Sequence, residues 1–123
     1  MINNKNKIPV SIIQCFEVLD EVFGESQEDK AWFISSIEDE AVGNLHHSLG
    51  AWIRKEWGLW EKKSDIYNVF AKMDIWHADD ISSIIITSYH RRLNNKELKL
   101  SEQVQEYIQY WKNYEKSNGP IDK

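Results

Sequence analysis

The stretch DDISSIIITSYHRRLN, Asp79–Asn94, constrains the fold more than any other part of the chain. Two acids open it and Arg91 and Arg92 close it, the order that the helix dipole favours. Three consecutive isoleucines, Ile84–Ile86, would also suit a strand, but the flanking charges favour a helix. At about 100° per residue, these side chains spread apolar surface around much of the helix girth. Such a helix is stable only when covered on several sides. The rest of the chain is therefore expected to pack around Asp79–Asn94, which becomes the central and most buried element.

The flanking sequence supplies the covering helices. Ile12, Ile13, Phe16, Leu19, Val22 and Phe23 recur at helical spacing, with Pro9 placed for a first helical position and Gly24 as the stop. Ser26 with Asp29 reads as the start of a second helix, whose buried stripe is Trp32, Phe33 and Ile37. The acids Glu38–Glu40 suit the start of a third, running to Trp57 with Gly58 as a left-handed cap. Ser64 or Asp65 starts a short helix bearing Ile66, Val69, Phe70 and Met73. A last helix opens at Ser101, with Val104, Tyr107, Ile108, Trp111 and Tyr114 on its face. The expected fold is all-α, a single bundle of about six helices. It forms one domain over 8–115, between polar tails 1–7 and 116–123. At 123 residues the chain is long enough to bury a core without covalent staples.

Charge narrows the function. The formal net charge is −5, which disfavours nucleic acid and anionic membrane surfaces, since phosphate recognition needs a basic stripe. No apolar run is long enough to span a membrane, and MINNKNKIPV, with no apolar stretch after its charges, is not expected to act as a signal peptide. Cys15 is the only cysteine, so no internal disulfide forms, and a cytoplasmic setting is favoured. Cys15 reads as a small core residue. There is no glycine-rich phosphate loop, nucleophile elbow or paired-cysteine motif, and no cofactor is expected.

The candidate site lies in LHHSLGAWIRKEWGLW, Leu45–Trp60. On one continuous helix, Leu45, Leu49 and Trp52 form the core stripe, while Gly43, His47, Gly50 and Arg54 share a strip on the opposite side. Glycine inside a helix costs roughly 1 kcal/mol relative to alanine, so two on one strip imply close approach to the backbone. Either a crossing helix fills that strip, or it is a shallow groove where His47 and Arg54 meet an anionic group. His46 and His47 point about 100° apart and are poorly placed to share a metal; His77 and His90 lie far along the chain. Asp79 and Asp80 read as first-turn helix acids, or as a carboxylate pair for acid–base work. Ser83, Thr87 and Arg91 continue a polar strip from Asp79, as expected of a hydrogen-bonded seam. Trp57 and Trp60 either seal one end of the core or offer an aromatic anchor to a partner.

These residues carry a resemblance. LHHSLGAWIRKEWGLW followed by HADDISSIIITSYHRRL resembles a family of small bacterial and phage-associated helical domains of unknown function. The family pattern is an early proline-initiated helix, then LHxxLGxWIRxxxGLW, then HPDDxSxxI ending in a short basic helix. The resemblance spans about Ile8–Leu93. Ala78 stands where the pattern has proline, which keeps a first helical position workable but loses the preset φ. The resemblance implies a helical domain and no particular reaction.

The expected function is a non-catalytic protein-binding or regulatory module, with an immunity or defence role as one setting. The competing expectation is a small enzyme or small-ligand binder built on His47, Arg54, His77, Asp79 and Asp80. The oligomeric state is not legible in the sequence.

Overall fold

A computed structural model describes residues 7–123, so the expected N-terminal tail, apart from Lys7, lies outside the described residues. Seven helices and no strands are present among the described residues. They are α1 (Ile12–Phe23), α2 (Gln27–Ser35), α3 (Glu38–Leu45), α4 (Leu49–Glu56), α5 (Asp65–Ala71), α6 (Ala78–Leu93) and α7 (Leu100–Asn118).

The central helix is α6. It packs against α1, α2, α3, α4 and α7, and Ile81, Ile84, Ile85, Ile86 and Tyr89 are all buried. Its isoleucines thus find cover on every side they reach. At one end, Tyr89 stacks on Phe23 and Phe33 and meets Phe16 at a tilt. The Tyr89 hydroxyl donates to Asp20 Oδ1 at 2.7 Å, so the ring is buried while its polar tip is satisfied. Arg91 grips α3 with a bidentate pair, its Nε and Nη2 donating to Glu38 Oε1 and Oε2 at 2.6 and 3.2 Å. Its Nη1 donates to Leu98 O. That arginine holds the Glu38 carboxyl below its usual range. Gln103 ties α7 to α6 by donating to Ser88 Oγ.

Local signals set the helix ends. The hydroxyls of Ser11, Ser26 and Ser64 accept the N–H groups of Gln14, Asp29 and Tyr67, three residues on, satisfying donors that a helix start leaves open. Pro9 precedes α1 and does not open it. At the end of α4, Gly58 adopts φ +63. Leu59 N donates to Arg54 O and Gly58 N to Lys55 O, the two bonds of a Schellman closure. The same pair of bonds closes α5 through Asp74 and α6 through Asn95, both at positive φ.

The structure departs from the sequence expectation at several points. The third helix is two: the chain leaves helical geometry at His46–Ser48, with Ser48 at φ −110 and ψ −87. That break raises the expected six helices to seven. In α2 only Phe33 is buried and Trp32 is 41% exposed; Ile37 falls beyond α2, as the N-cap of α3, and is 68% exposed. Ile13 of α1 and Tyr114 of α7 are also exposed. α7 begins one residue before Ser101 and continues to Asn118, through the start of the expected C-terminal tail.

Candidate functional site

The residues with chemistry gather at the start of α6. His77 is its N-cap: Nδ1 accepts the Asp79 N–H at 3.0 Å, a task usually given to a serine or aspartate oxygen. Because Nδ1 accepts, the neutral ring carries its proton on Nε2. Asp79 Oδ1 lies 3.3 Å from Arg54 Nε. The Arg54 side chain is 7% exposed and its fork is filled. Nη1 donates to Ser82 Oγ and Nη2 to His46 O, each at 2.9 Å. Ser82 in turn donates to Asp79 O.

Arg54 therefore stabilises the broken helix. By taking the His46 carbonyl, it satisfies a group that the break removes from the helical ladder. It also explains Gly50. A Cβ built there would lie 2.8 Å from Arg54 Nη1 and 3.3 Å from Leu45 O. What approaches this glycine is the chain's own guanidinium.

Gly43 is different, because no neighbouring heavy atom lies within 4 Å of where its Cβ would stand. It lines a groove of about 380 Å³ with Ser83, Thr87, Arg91 and Tyr107. The continuous Gly43–His47–Gly50–Arg54 strip does not exist, because the break divides it. His47 is exposed on the turn between α3 and α4, its ring edge-on to His46. The polar strip of α6 divides as well. Arg91 forms the seam to Glu38, Ser83 and Thr87 line the groove, and the buried serines are Ser82 and Ser88.

Beside Arg54 lies a connected set of aromatic rings. Trp111 of α7 stacks on His77 with ring centroids 5.8 Å apart, and its indole N–H donates to Asp80 Oδ2 at 2.8 Å. Burial raises the Asp80 pKa, an effect that the Trp111 hydrogen bond and nearby His77 oppose. Trp60 and Trp76 also meet His77, and Trp76 meets Trp111 at 5.0 Å. Tyr110 and Tyr114 pack edge-on against Trp111, and the Lys62 ammonium sits 5.6 Å from the Trp76 ring centre. Trp60, Tyr110 and Tyr114 are among the exposed large side chains of the molecule. The two tryptophans singled out in the sequence separate: Trp60 joins this surface, whereas Trp57 is buried, edge-on to Trp52, with its indole N–H unpartnered.

Gly50, Arg54, Trp60, His77, Asp79 and Asp80 thus come together, while Gly43, His47 and Trp57 stand apart. Sequence reasoning missed Trp76, Trp111, Tyr110 and Tyr114. The spacing of Tyr107, Tyr110, Trp111 and Tyr114 was the available signal: four aromatics on one stripe of α7 exceed what one core seam requires. No group of three or more His, Cys, Asp or Glu among the described residues is placed to hold a metal ion. Cys15 is buried, and burial pushes its thiol well above the usual range.

A family described as a domain of unknown function, DUF6794, matches residues 8–93. The chain belongs to the DUF6794 family. The match runs from just before α1 to the end of α6, the span of the resemblance seen in the sequence, and α7 follows it. Within this DUF6794 chain, then, the His77–Trp111 stack joins a family residue to one beyond the matched segment. No curated protein and no solved structure matches the chain. No helix among the described residues is long and apolar enough to cross a membrane.

Proposed function

We propose that this DUF6794 chain is a non-catalytic protein-binding module whose contact surface is the aromatic face around His77. One observation carries the reading. The groups with chemistry at the start of α6 are spent on the fold, while large rings stand exposed beside them. Arg54 is bonded to Ser82, His46 O and Asp79; His77 caps α6; Asp80 accepts from Trp111. Exposed Trp and Tyr side chains supply contact area at low entropic cost and concentrate binding energy at interfaces. A small-ligand or catalytic site built from His47, Arg54, His77 and Asp79 has less support. His47 is held on a separate turn, and the Arg54 head is enclosed.

The proposal extends to the setting. A net charge of −5 favours a basic protein partner over nucleic acid or a membrane surface. A cytoplasmic immunity or defence protein of a bacterium or phage would have such a partner.

The test is affinity capture from host lysate with the native chain and with a Trp60→Ala/Tyr110→Ala/Tyr114→Ala variant of matched melting temperature. The proposal requires a stoichiometric protein held by the native chain and lost by the variant. Equal capture by both, or no stoichiometric protein with either, refutes it.

A further inference from the structure

A second surface is built from other elements. Trp32, expected in the core, instead lies half out of it beside a groove of about 260 Å³. The groove is lined by Val22 and Phe23 of α1, Asp29 and Trp32 of α2, and Leu45 and Leu49 on either side of the α3–α4 break. The break shapes this wall, because a single straight helix would not offset Leu45 and Leu49 in the same way. Five of the six lining residues are apolar, and the sixth is a carboxylate that is exposed at the rim.

The charge around it is one-sided. From Ile12 to Leu45 the chain carries nine carboxylates against one lysine, Lys30. The whole chain is only −5, so the remainder is slightly basic and the negative charge is concentrated on α1, α2 and α3. Among these carboxylates, Asp20 accepts from Tyr89 and Glu38 from Arg91. Glu28, Asp29, Asp39 and Glu40 are exposed.

We infer that this groove docks a basic amphipathic segment of a partner protein. One apolar side chain enters between Leu45, Leu49 and Val22. A neighbouring arginine lies over the open face of Trp32 and reaches Asp29. The volume suits one large apolar side chain. An indole face beside a carboxylate is a pairing that a guanidinium meets with both its plane and its N–H edge. Amphipathic helices in grooves use this alternation of apolar anchors and charged flanks. The inference shares with the proposed function the reading that the chain binds protein, but it rests on different residues.

The test uses the full chain, ¹⁵N-labelled, with a synthetic helical peptide of alternating leucine and arginine at heptad spacing. The controls are a peptide of the same composition with scrambled order and one with glutamate for arginine. Saturable shifts are expected at the Trp32 indole and the amides of Val22, Asp29 and Leu49, weakening as salt rises. Trp32→Ala and Asp29→Lys should each weaken binding by about three- to tenfold, and the pair by more. Trp32 is 41% exposed and Asp29 lies in the first turn of α2, so both variants should lower the melting temperature, and the titrations are run where unfolding curves show each variant fully folded. The aromatic-face variant Trp60→Ala/Tyr110→Ala/Tyr114→Ala should bind the peptide normally. Failure of the groove alone therefore leaves the aromatic face standing, and the converse also holds. Shifts centred elsewhere, equal binding of the scrambled peptide, or no effect of either substitution would overturn the inference. So would concentration-dependent self-association abolished by Trp32→Ala, which would assign the groove to a second copy of this chain.

Discussion

Gly43 and Gly50 are alike in sequence and unlike in surroundings, so the same substitution should act on them with opposite sign. Alanine at either position gains helix propensity, at most about 1 kcal/mol. At Gly43 a methyl group meets open space, so most of that gain survives. Gly43→Ala should stabilise by about 0.5–1 kcal/mol. At Gly50 the methyl carbon would stand 2.8 Å from Arg54 Nη1 and 3.3 Å from the Leu45 carbonyl. The guanidinium cannot swing aside freely, because Ser82, His46 O and Asp79 hold it. Displacing Nη1 loses a buried hydrogen bond from a charged donor, roughly 1.5–3 kcal/mol, against the gain of about 1. Gly50→Ala should therefore destabilise by about 0.5–2 kcal/mol. For a chain of this length that is a fall of roughly 2–10 °C in Tm, against a rise of a few degrees for Gly43→Ala. Urea unfolding followed by tryptophan fluorescence measures both, with unchanged m-values as the check on a two-state reading. A double-mutant cycle of Gly50→Ala with Arg54→Met isolates the contact and should show coupling above about 0.5 kcal/mol. Equal signs at the two glycines, or strict additivity in the cycle, would refute the account of Arg54 as the group that fills the Gly50 notch.

Three other outcomes follow from the geometry. Asp74 closes α5 at φ +65, where glycine carries no steric penalty, so Asp74→Gly should stabilise by about 0.5–1 kcal/mol in thermal or urea unfolding. The folded-state pKa of Glu38 is depressed, chiefly by its hydrogen bond from Arg91. Its stabilising contribution is therefore complete above the ordinary glutamate pKa and is lost as pH falls through the depressed value. Glu38→Gln should be less stable than the native chain by about 1 kcal/mol at pH 7, and the difference should shrink toward zero in acid unfolding curves. Cys15 is fully buried with its thiol pKa raised, so a thiol-specific chromogenic reagent should react with it only as fast as the chain opens, and fully in urea.

The sequence disclosed α6 because its evidence was redundant. Acids at one end, arginines at the other and isoleucine in between all pointed to one buried helix. The caps at Ser26 and Ser64 and the stop at Gly58 were legible for the same reason: each acts within a few residues of itself. The Ser11 cap was not, because Pro9 two residues earlier reads equally well as a first helical position. The break at His46–Ser48 was not legible, because its cause is tertiary. Helix propensity is low all through Gly43, Asn44, His46, His47, Ser48 and Gly50, so it singles out no one position, and what fixes the break at His46–Ser48 is the Arg54 guanidinium taking the His46 carbonyl while bonded to Ser82, 28 residues away. The site was read in part. Arg54, His77, Asp79 and Asp80 were named from local pattern and do meet. Trp111 reaches them from α7, and only the path of the chain after Asn95 brings it there. Trp32 was misplaced because only Phe33 of α2 turns inward, and Ile37 because α2 ends at Ser35 and leaves it as the N-cap of α3; the spacing of three apolar residues could not say which face the neighbours would leave open.

The attachment of α7 is graded along its length. Gln103 and Val104 are its buried residues; Tyr107, Ile108 and Trp111 are half covered; beyond them most side chains face solvent. Trp111 is thus the last strong tether on a helix of 19 residues. Opening from the C-terminal end costs little until that tether is reached, and then it costs the His77 stack and the Asp80 hydrogen bond together. Amide hydrogen exchange should record this as a step: nearly uniform fast exchange over the final turns, then an abrupt rise in protection at Trp111, marking where the helix stops behaving as an independent segment and starts to share the cooperativity of the bundle.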